Sequence, residues 1–408
     1  MTEQHKKIAI IGGGPSGITA AIFAANNPNN DIFIFDKGII LNTLLPTGGG
    51  RCNLAHAQYN FKELAKFYPR GEKFLYGIFS RFATAETISF FKEFGIKTYT
   101  QEDNRIFPVS NSAKDVKNAL LKETDKYKNI KKVFEQVLNI EKTEKNFILK
   151  TNKNKHIFDA VVIATGGRGE GQTLAKNLSH NIIELKPALS SLITKEKDYS
   201  DLSGLSLKDI EASVFFENKK LKGPNLNMKG DFLFTHKGVS GPLVYKISSY
   251  CAYLNFNCDK PLKLSFNFVN KSFEQFDEEF LTALKNNPQK ECANVLCEFL
   301  PKNLALKIFE NENINPKTKA GQMTKKDREK ISRKVTDFVL NATGAAKGEE
   351  IVTAGGVDLK EINPKTLESK LVPGLYFCGE VMDIDGLTGG FNLQNCWSTG
   401  FIVGNSLL

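Results

Sequence analysis

A wholly apolar run, Ile8-Ala9-Ile10-Ile11, leads straight into Gly12-x-Gly14-x-x-Gly17. Small residues then recur at helical spacing (Ala20, Ala21, Ala24, Ala25), and a second apolar run, Ile32 to Phe35, ends at Asp36. Apolar runs without polar alternation suit strands covered on both faces of a parallel sheet. The stretch therefore predicts a strand–helix–strand unit. Its glycines allow a tight turn and the close approach of a pyrophosphate, the helix N-terminus offers free N–H groups, and Asp36 is placed to accept from ribose hydroxyls. The unit reads as dinucleotide-binding. Gly12, Gly13, Gly14, Pro15 and Gly17 also interrupt the uncharged run from Ile8 to Asn30, so it is read as neither a signal peptide nor a membrane span.

At 408 residues the chain exceeds the size at which single cores stop growing, so two domains are expected. The expected boundaries are 1–186 and 345–408 for the two parts of the nucleotide-binding domain, with 187–344 inserted between them. Asp159 to Ala164 is a further buried strand leading into Thr165-Gly166-Gly167, and strands are expected at Val133 to Ile140 and Phe147 to Lys150, with helix across 61 to 100. The inserted piece changes texture, with strands near Leu207 to Phe216 and Leu262 to Phe268 and polar helices from Phe273 to Phe338.

The formal charge of +10 permits nucleic acid, an anionic membrane or an acidic ligand as partner. Its lysines are scattered, however, as at Lys153, Lys155, Lys219, Lys220 and Lys222, and the basic run from Lys317 to Lys334 includes Asp327 and Glu329. That pattern reads as a solvated surface rather than a nucleic-acid arm. The seven cysteines are odd in number and contain no C-x-x-C pair, which points to a reducing compartment, read here as the cytoplasm, and to no metal site.

A second signal bears on which dinucleotide is bound. Leu375-Tyr376-Phe377-Cys378-Gly379-Glu380 is an apolar strand ending in glycine and a carboxylate, an arrangement able to bring that acid to the ribityl hydroxyls of a flavin; the plainer reading is a strand end with a surface glutamate.

Three further motifs carry a resemblance: Gly48-Gly49-Gly50-Arg51-Cys52-Asn53-Leu54, Phe234-Thr235-His236-x-Gly238-x-Ser240-Gly241-Pro242, and Gly389-Gly390-Phe391-Asn392-Leu393-Gln394. Together they resemble the bacterial BaiN-like (aminoacetone oxidase-type, HI0933-like) NAD(P)/FAD-dependent oxidoreductases. The resemblance runs from the first strand to the C-terminus. It implies an α/β, glutathione-reductase-like FAD-binding Rossmann fold with a large inserted β-rich plus helical domain. It also implies non-covalent FAD, with Gly12, Gly14, Pro15, Ser16 and Gly17 at the pyrophosphate, Asp36 and Lys37 at the adenosine ribose, and the backbone of Val137 at the adenine. Thr165 and Gly166 would lie against the nucleotide, Gly50, Arg51, Cys52 and Asn53 on the flavin side, and Gly379 and Glu380 at the ribityl chain. The backbone of Asn392 and Leu393 would meet the pyrimidine edge, where a helix N-terminus stabilises the charge of a reduced flavin. Asn42, Thr43 and Pro46 depart from the usual family pattern, and so does a short loop after Gly167.

Cys52, Cys378 and Cys396 fall inside these motifs but read as small buried hydrophobes rather than redox thiols. His236 is a weak catalytic candidate, with a packed structural histidine the favoured reading. His56 reads as a loop residue. No second strand-GxGxxG-helix unit follows, so any NAD(P)H is expected to visit transiently. The expected activity passes electrons from NAD(P)H or an organic donor through flavin to an unsaturated or carbonyl small molecule, or to dioxygen. Two alternatives stay open: a basic FAD protein acting on or binding RNA, and a non-catalytic flavin-binding scaffold.

Overall fold

Ile8, Ala9 and Ile10 have no solvent exposure, because strand β1 (Lys6–Ile11) runs down the centre of a parallel sheet and is covered on both faces. The computed structural model describes residues 5–221, 228–346, 348 and 351–408. Lys222, read above as part of a solvated segment, lies outside the described residues. By contact density the chain forms two compact units, one comprising the residues up to Lys186 together with Val352–Leu408, the other Pro187–Ile351.

In the first unit β1 is followed by helix α1 (Pro15–Ala24) and β2 (Asn30–Phe35), the expected strand–helix–strand unit. Proline at the first helical turn suits the start of α1, since the N–H it lacks has no helical partner there. Two further strands of the sheet are β3 (Ile130–Val133) and β4 (Ala160–Ile163), followed by helix α2 (Glu170–Asn177) and β5 (Ile182–Ala188). After the second unit come β6 (Val352–Val357), which pairs with β5 in a two-stranded sheet, then β7 (Leu375–Phe377) and helix α3 (Phe391–Ser406). The five-stranded sheet has the order β7-β4-β1-β2-β3 with every pair parallel. All its loops of interest leave from the carboxyl ends of β1, β2, β4 and β7, the edge where open α/β sheets bind ligands.

Two expectations for the first unit change. Residues 133–140 are not one strand: β3 ends at Val133, and a second strand, Val137–Lys142, begins a separate antiparallel sheet with Phe147–Thr151 and Lys155–Phe158. Its Val137 faces Thr151 across that sheet, whereas Val133 faces Phe35 of β2. The region 61–100 is three helices, Phe61–Ala65, Glu72–Phe79 and Thr84–Glu93, followed by a strand at Thr98–Thr100. Pro69 and Gly71 break the first from the second, with Gly71 at φ 88° as the N-cap.

Within the second unit, Ser206–Phe216, Met228–Thr235, Gly238–Ser240, Leu192–Thr194, Phe338–Ala345 and Leu262–Asn267 pair in that order, all antiparallel, and the last pairs back with the first. The ring is thus a closed barrel, with Phe232, Phe234, Phe266 and Phe338 in its interior core. Four helices between Phe273 and Thr336 pack beside it. Arg328 forks onto Asp277 at 2.8 and 2.9 Å, tying the last of these helices to the first. The chain leaves this unit after Ile351 rather than at 344/345, because Phe338–Ala345 is a barrel strand and the Ala346 N–H still bonds Ser191 O at 2.9 Å.

Candidate functional site

The glycine loop after β1 is shaped by backbone contacts that no side chain could share. Gly12 has φ 111°, and a Cβ there would lie 2.4 Å from Ala164 O; a Cβ on Gly17 would lie 2.0 Å from Gly12 O. Gly14 is different, since a Cβ there would meet only Thr43 Oγ1 at 3.9 Å. Its outer side is open, at the N-terminus of a buried helix, which is the shape a phosphate needs. Asp36 at the end of β2 accepts from Gly13 N–H at 2.8 Å through Oδ2 and from Gly38 N–H at 2.9 Å through Oδ1. Lys37, exposed beside it, forms an ion pair with Glu170, so side chains after β2 and β4 meet across the end of β1.

The C-terminal motif is packed against this loop. A Cβ on Gly379 would stand 2.6 Å from Ser16 Oγ, and one on Gly400 would stand 2.6 Å from Ser16 O. Two stretches more than 350 residues apart in sequence thus approach to backbone contact through glycines. Gln172 adds a tie between the loops after β4 and β7, its Nε2 donating to Gly166 O at 3.2 Å, Val381 O at 3.4 Å and Glu380 O at 3.5 Å.

Residues of the GGGRCN loop reach the same region, but their side chains are turned to the protein. Arg51 Nε donates to Gly48 O at 3.2 Å and its guanidinium lies 4.2 Å over the Phe107 ring. The Asn53 amide accepts from Gly390 N–H at 2.9 Å and donates to Ala55 O at 3.0 Å, fixing the loop to the N-cap of α3. The Asn392 amide holds Gly386 by both N–H and C=O at 2.8 Å. For Asn53 and Asn392, then, side-chain capacity is spent on positioning the loop and the start of α3.

The electrostatics follow burial. Glu380 is pushed up to about 7 by burial, with Asp385 adding to the rise. Asp383 is raised for the same first reason, against the lowering effect of Arg70. Asp385 itself is fully buried and forks onto Arg70. Burial also pushes Cys52 and Cys378 up to about 12 and Cys396 well above its usual range, so none is a thiolate at neutral pH.

The protein-family comparison decides the affiliation: residues 6–406 match the model described as the HI0933-like protein Rossmann domain.

The chain belongs to that family.

As a member of the HI0933-like family it is a flavoprotein oxidoreductase with a Rossmann nucleotide-binding fold. It is 29% identical over 413 residues to a 3-dehydro-bile acid delta(4,6)-reductase of Clostridium scindens, covering 98% of both chains. It is 27% identical over 413 residues to a ribosomal RNA dihydrouridine synthase of Escherichia coli, covering 98% of this chain and 97% of that one. A protein of the same name from Haemophilus influenzae is 28% identical over 422 residues, covering 99% of each. Among the described residues no helix is long and apolar enough to cross a membrane.

The HI0933-like chain also carries the marks of a site shaped for a larger polar ligand. Besides the open side of Gly14, buried polar atoms without a hydrogen-bond partner occur on the loops and helices that follow β4 and β7, at Thr165 Oγ1, Gln172 Oε1, Asp383 Oδ1, Gln394 Oε1 and both amide atoms of Asn395. Native structures keep few such atoms, and a cluster of them calls for a partner. A dinucleotide, with its string of acceptors and hydroxyls, fits that donor and acceptor set. Gln172, Asp383, Arg70 and Asn395 escaped the sequence reading. Asn395 directly follows the motif residue Gln394, which was the available signal, while Arg70 stands alone among helical residues and offered none. The packed histidine expected at 236 is not found: His236 is exposed, because it sits in the turn between two barrel strands, outside the first unit.

Proposed function

We propose that the protein is an FAD-dependent reductase of carbon–carbon double bonds conjugated to a carbonyl, fed by NAD(P)H or an organic donor. The observation that carries it is the meeting of the Gly12–Gly17 loop with Gly379–Glu380 at one edge of the parallel sheet, packed so closely that a Cβ on Gly379 would stand 2.6 Å from Ser16 Oγ. A flavin adenine dinucleotide is long enough to use both. The relatives' names support the reaction class, since a bile-acid enone reductase and a dihydrouridine synthase both saturate a double bond next to a carbonyl.

Bound FAD supplies hydride transfer to such a double bond. The chain's own residues do the rest. The N–H groups at the start of α1, with its positive dipole end, take the pyrophosphate. Asp36, held by two backbone N–H groups, accepts from the adenosine ribose. Glu380, with a pKa of about 7, is partly protonated at neutral pH and can both donate to and accept from ribityl hydroxyls. At the N-terminus of α3 the backbone of Asn392 and Leu393 meets the pyrimidine edge, favouring negative charge there. The pyridine nucleotide docks transiently and the buried cysteines take no electrons.

A second reading keeps the reaction and changes the substrate carrier. Two relatives are named for ribosomal RNA, and the formal charge of +10 would draw a polyanion. Anaerobic mixing with NADH or NADPH, followed by a steroid-type enone or by ribosomal RNA, separates the two. Bleaching of the flavin and its reoxidation by the enone supports the first reading; reoxidation by RNA alone, with a steep salt slope, supports the second. A colourless protein that takes up no FAD overturns both.

A further inference from the structure

Asn395 lies one turn into α3 with no solvent exposure, and neither its Oδ1 nor its Nδ2 has a hydrogen-bond partner. A buried polar group left without a partner destabilises the fold. Here one side chain carries two. Its neighbours on the same helix are better satisfied: the Asn392 amide is engaged with Gly386, and Gln394 Nε2 donates to Thr87 Oγ1 at 2.8 Å and Ser398 Oγ at 2.9 Å, leaving only Gln394 Oε1 without a partner.

The direction of Asn395 follows from helix geometry. Residues four apart share a helix face, and the residue four further on, Thr399, accepts Gly379 N–H at 3.0 Å through the Oγ1 that donates to Asn395 O at 2.5 Å. Asn395 therefore belongs to the face of α3 turned to the Gly379–Glu380 loop. An amide needs a partner that both accepts and donates. A diphosphate only accepts; the flavin end of FAD does both, through ring carbonyls, an imide N–H and ribityl hydroxyls.

Resting on the FAD reading above, we propose that the Asn395 side chain binds the flavin end of the cofactor, Nδ2 donating to it and Oδ1 accepting from it. It is a cofactor-binding residue beyond the glycine loop, the two carboxylates and the backbone of α3.

The test compares the wild type with Asn395→Leu, an apolar side chain of similar size, after FAD has been stripped from both. FAD affinity is measured by flavin fluorescence, ADP affinity by competition, and apo-protein stability by thermal unfolding. FAD affinity is expected to fall about tenfold, the worth of roughly one hydrogen bond, with ADP affinity unchanged. Apo Asn395→Leu is expected to unfold at a higher temperature than apo wild type, because two unpaired polar atoms are gone. An unchanged FAD affinity, an equal loss for ADP, or a less stable apo-protein overturns the proposal; the last would mean that the fold itself pairs the amide. Should the leucine variant not fold, Asn395→Asp keeps the shape and replaces the donor by an acceptor, and undiminished FAD affinity there overturns it equally. Wild-type protein that binds no FAD defeats the FAD reading instead, a distinct outcome.

Discussion

Asp36 and Glu380 are both acids at strand ends, yet their surroundings give them opposite characters. Asp36 receives two backbone N–H groups and serves as a fixed acceptor. Glu380 has its backbone carbonyl engaged by Gln172, but its carboxyl is enclosed and shares the region with Asp385. Burial favours the neutral acid, so the folded pKa of about 7 stands above the ordinary 4.5. The stability this group permits is complete below pH 4.5 and is lost as the pH rises through 7. Asp383, also raised, adds to the same slope, while Arg70 beside Asp385 works against it. Thermal unfolding of the FAD-free protein should therefore weaken from pH 4.5 to pH 7, and Glu380→Gln should flatten that fall and unfold at a higher temperature than wild type above it. An identical pH profile in the variant would show that Glu380 is ionised at no cost in the fold.

At the level of elements, α1 and α3 cross at close range because α3 has glycines where α1 presses on it. A Cβ on Gly404 would lie 2.5 Å from Phe23 Cβ and 2.8 Å from Ala20 O, the second of these a backbone atom with little freedom to move. Gly404→Val should cost about 1–3 kcal/mol by overpacking, and, by shifting the helix whose N-terminus is given to the flavin, should also weaken FAD binding. Denaturant unfolding together with FAD titration checks both; loss of neither would mean that the helices can separate freely. The α1 part of this contact was readable in sequence, since the alanine-rich stretch and the glycine spacing announce a strand–helix–strand unit. The break of 133–140 into two strands was not, because nothing local distinguishes Val133, which pairs with β2, from Val137, which turns to another sheet. The closure of the barrel was equally hidden: Leu192–Thr194 and Gly238–Ser240 are too short to show a period, and only pairing across the chain makes them strands. Site residues divide likewise. Glycines and strand-end acids were legible because backbone geometry demands them at fixed spacing, whereas Gln172, Arg70 and Asp383 act through distant partners that no local pattern encodes.

On the scale of the whole molecule, the cofactor unit is built from both ends of the chain, with a barrel domain inserted between β5 and β6. Neither segment of the first unit is complete alone: the first supplies β1, β2, β3 and β4, and the second supplies the edge strand β7 and α3, which packs on α1. The packing of Gly379 on Ser16 brings the two ends of the chain together, and on the proposed function the flavin is held where they meet. An experimental structure determined with FAD tests this most directly. The account predicts one dinucleotide per chain, its pyrophosphate on the N–H groups of Gly14 and Ser16, its ribityl chain at Glu380 and its isoalloxazine at the N-terminus of α3. Flavin bound elsewhere, or density for the adenosine half alone with the isoalloxazine away from Glu380 and α3, would contradict it.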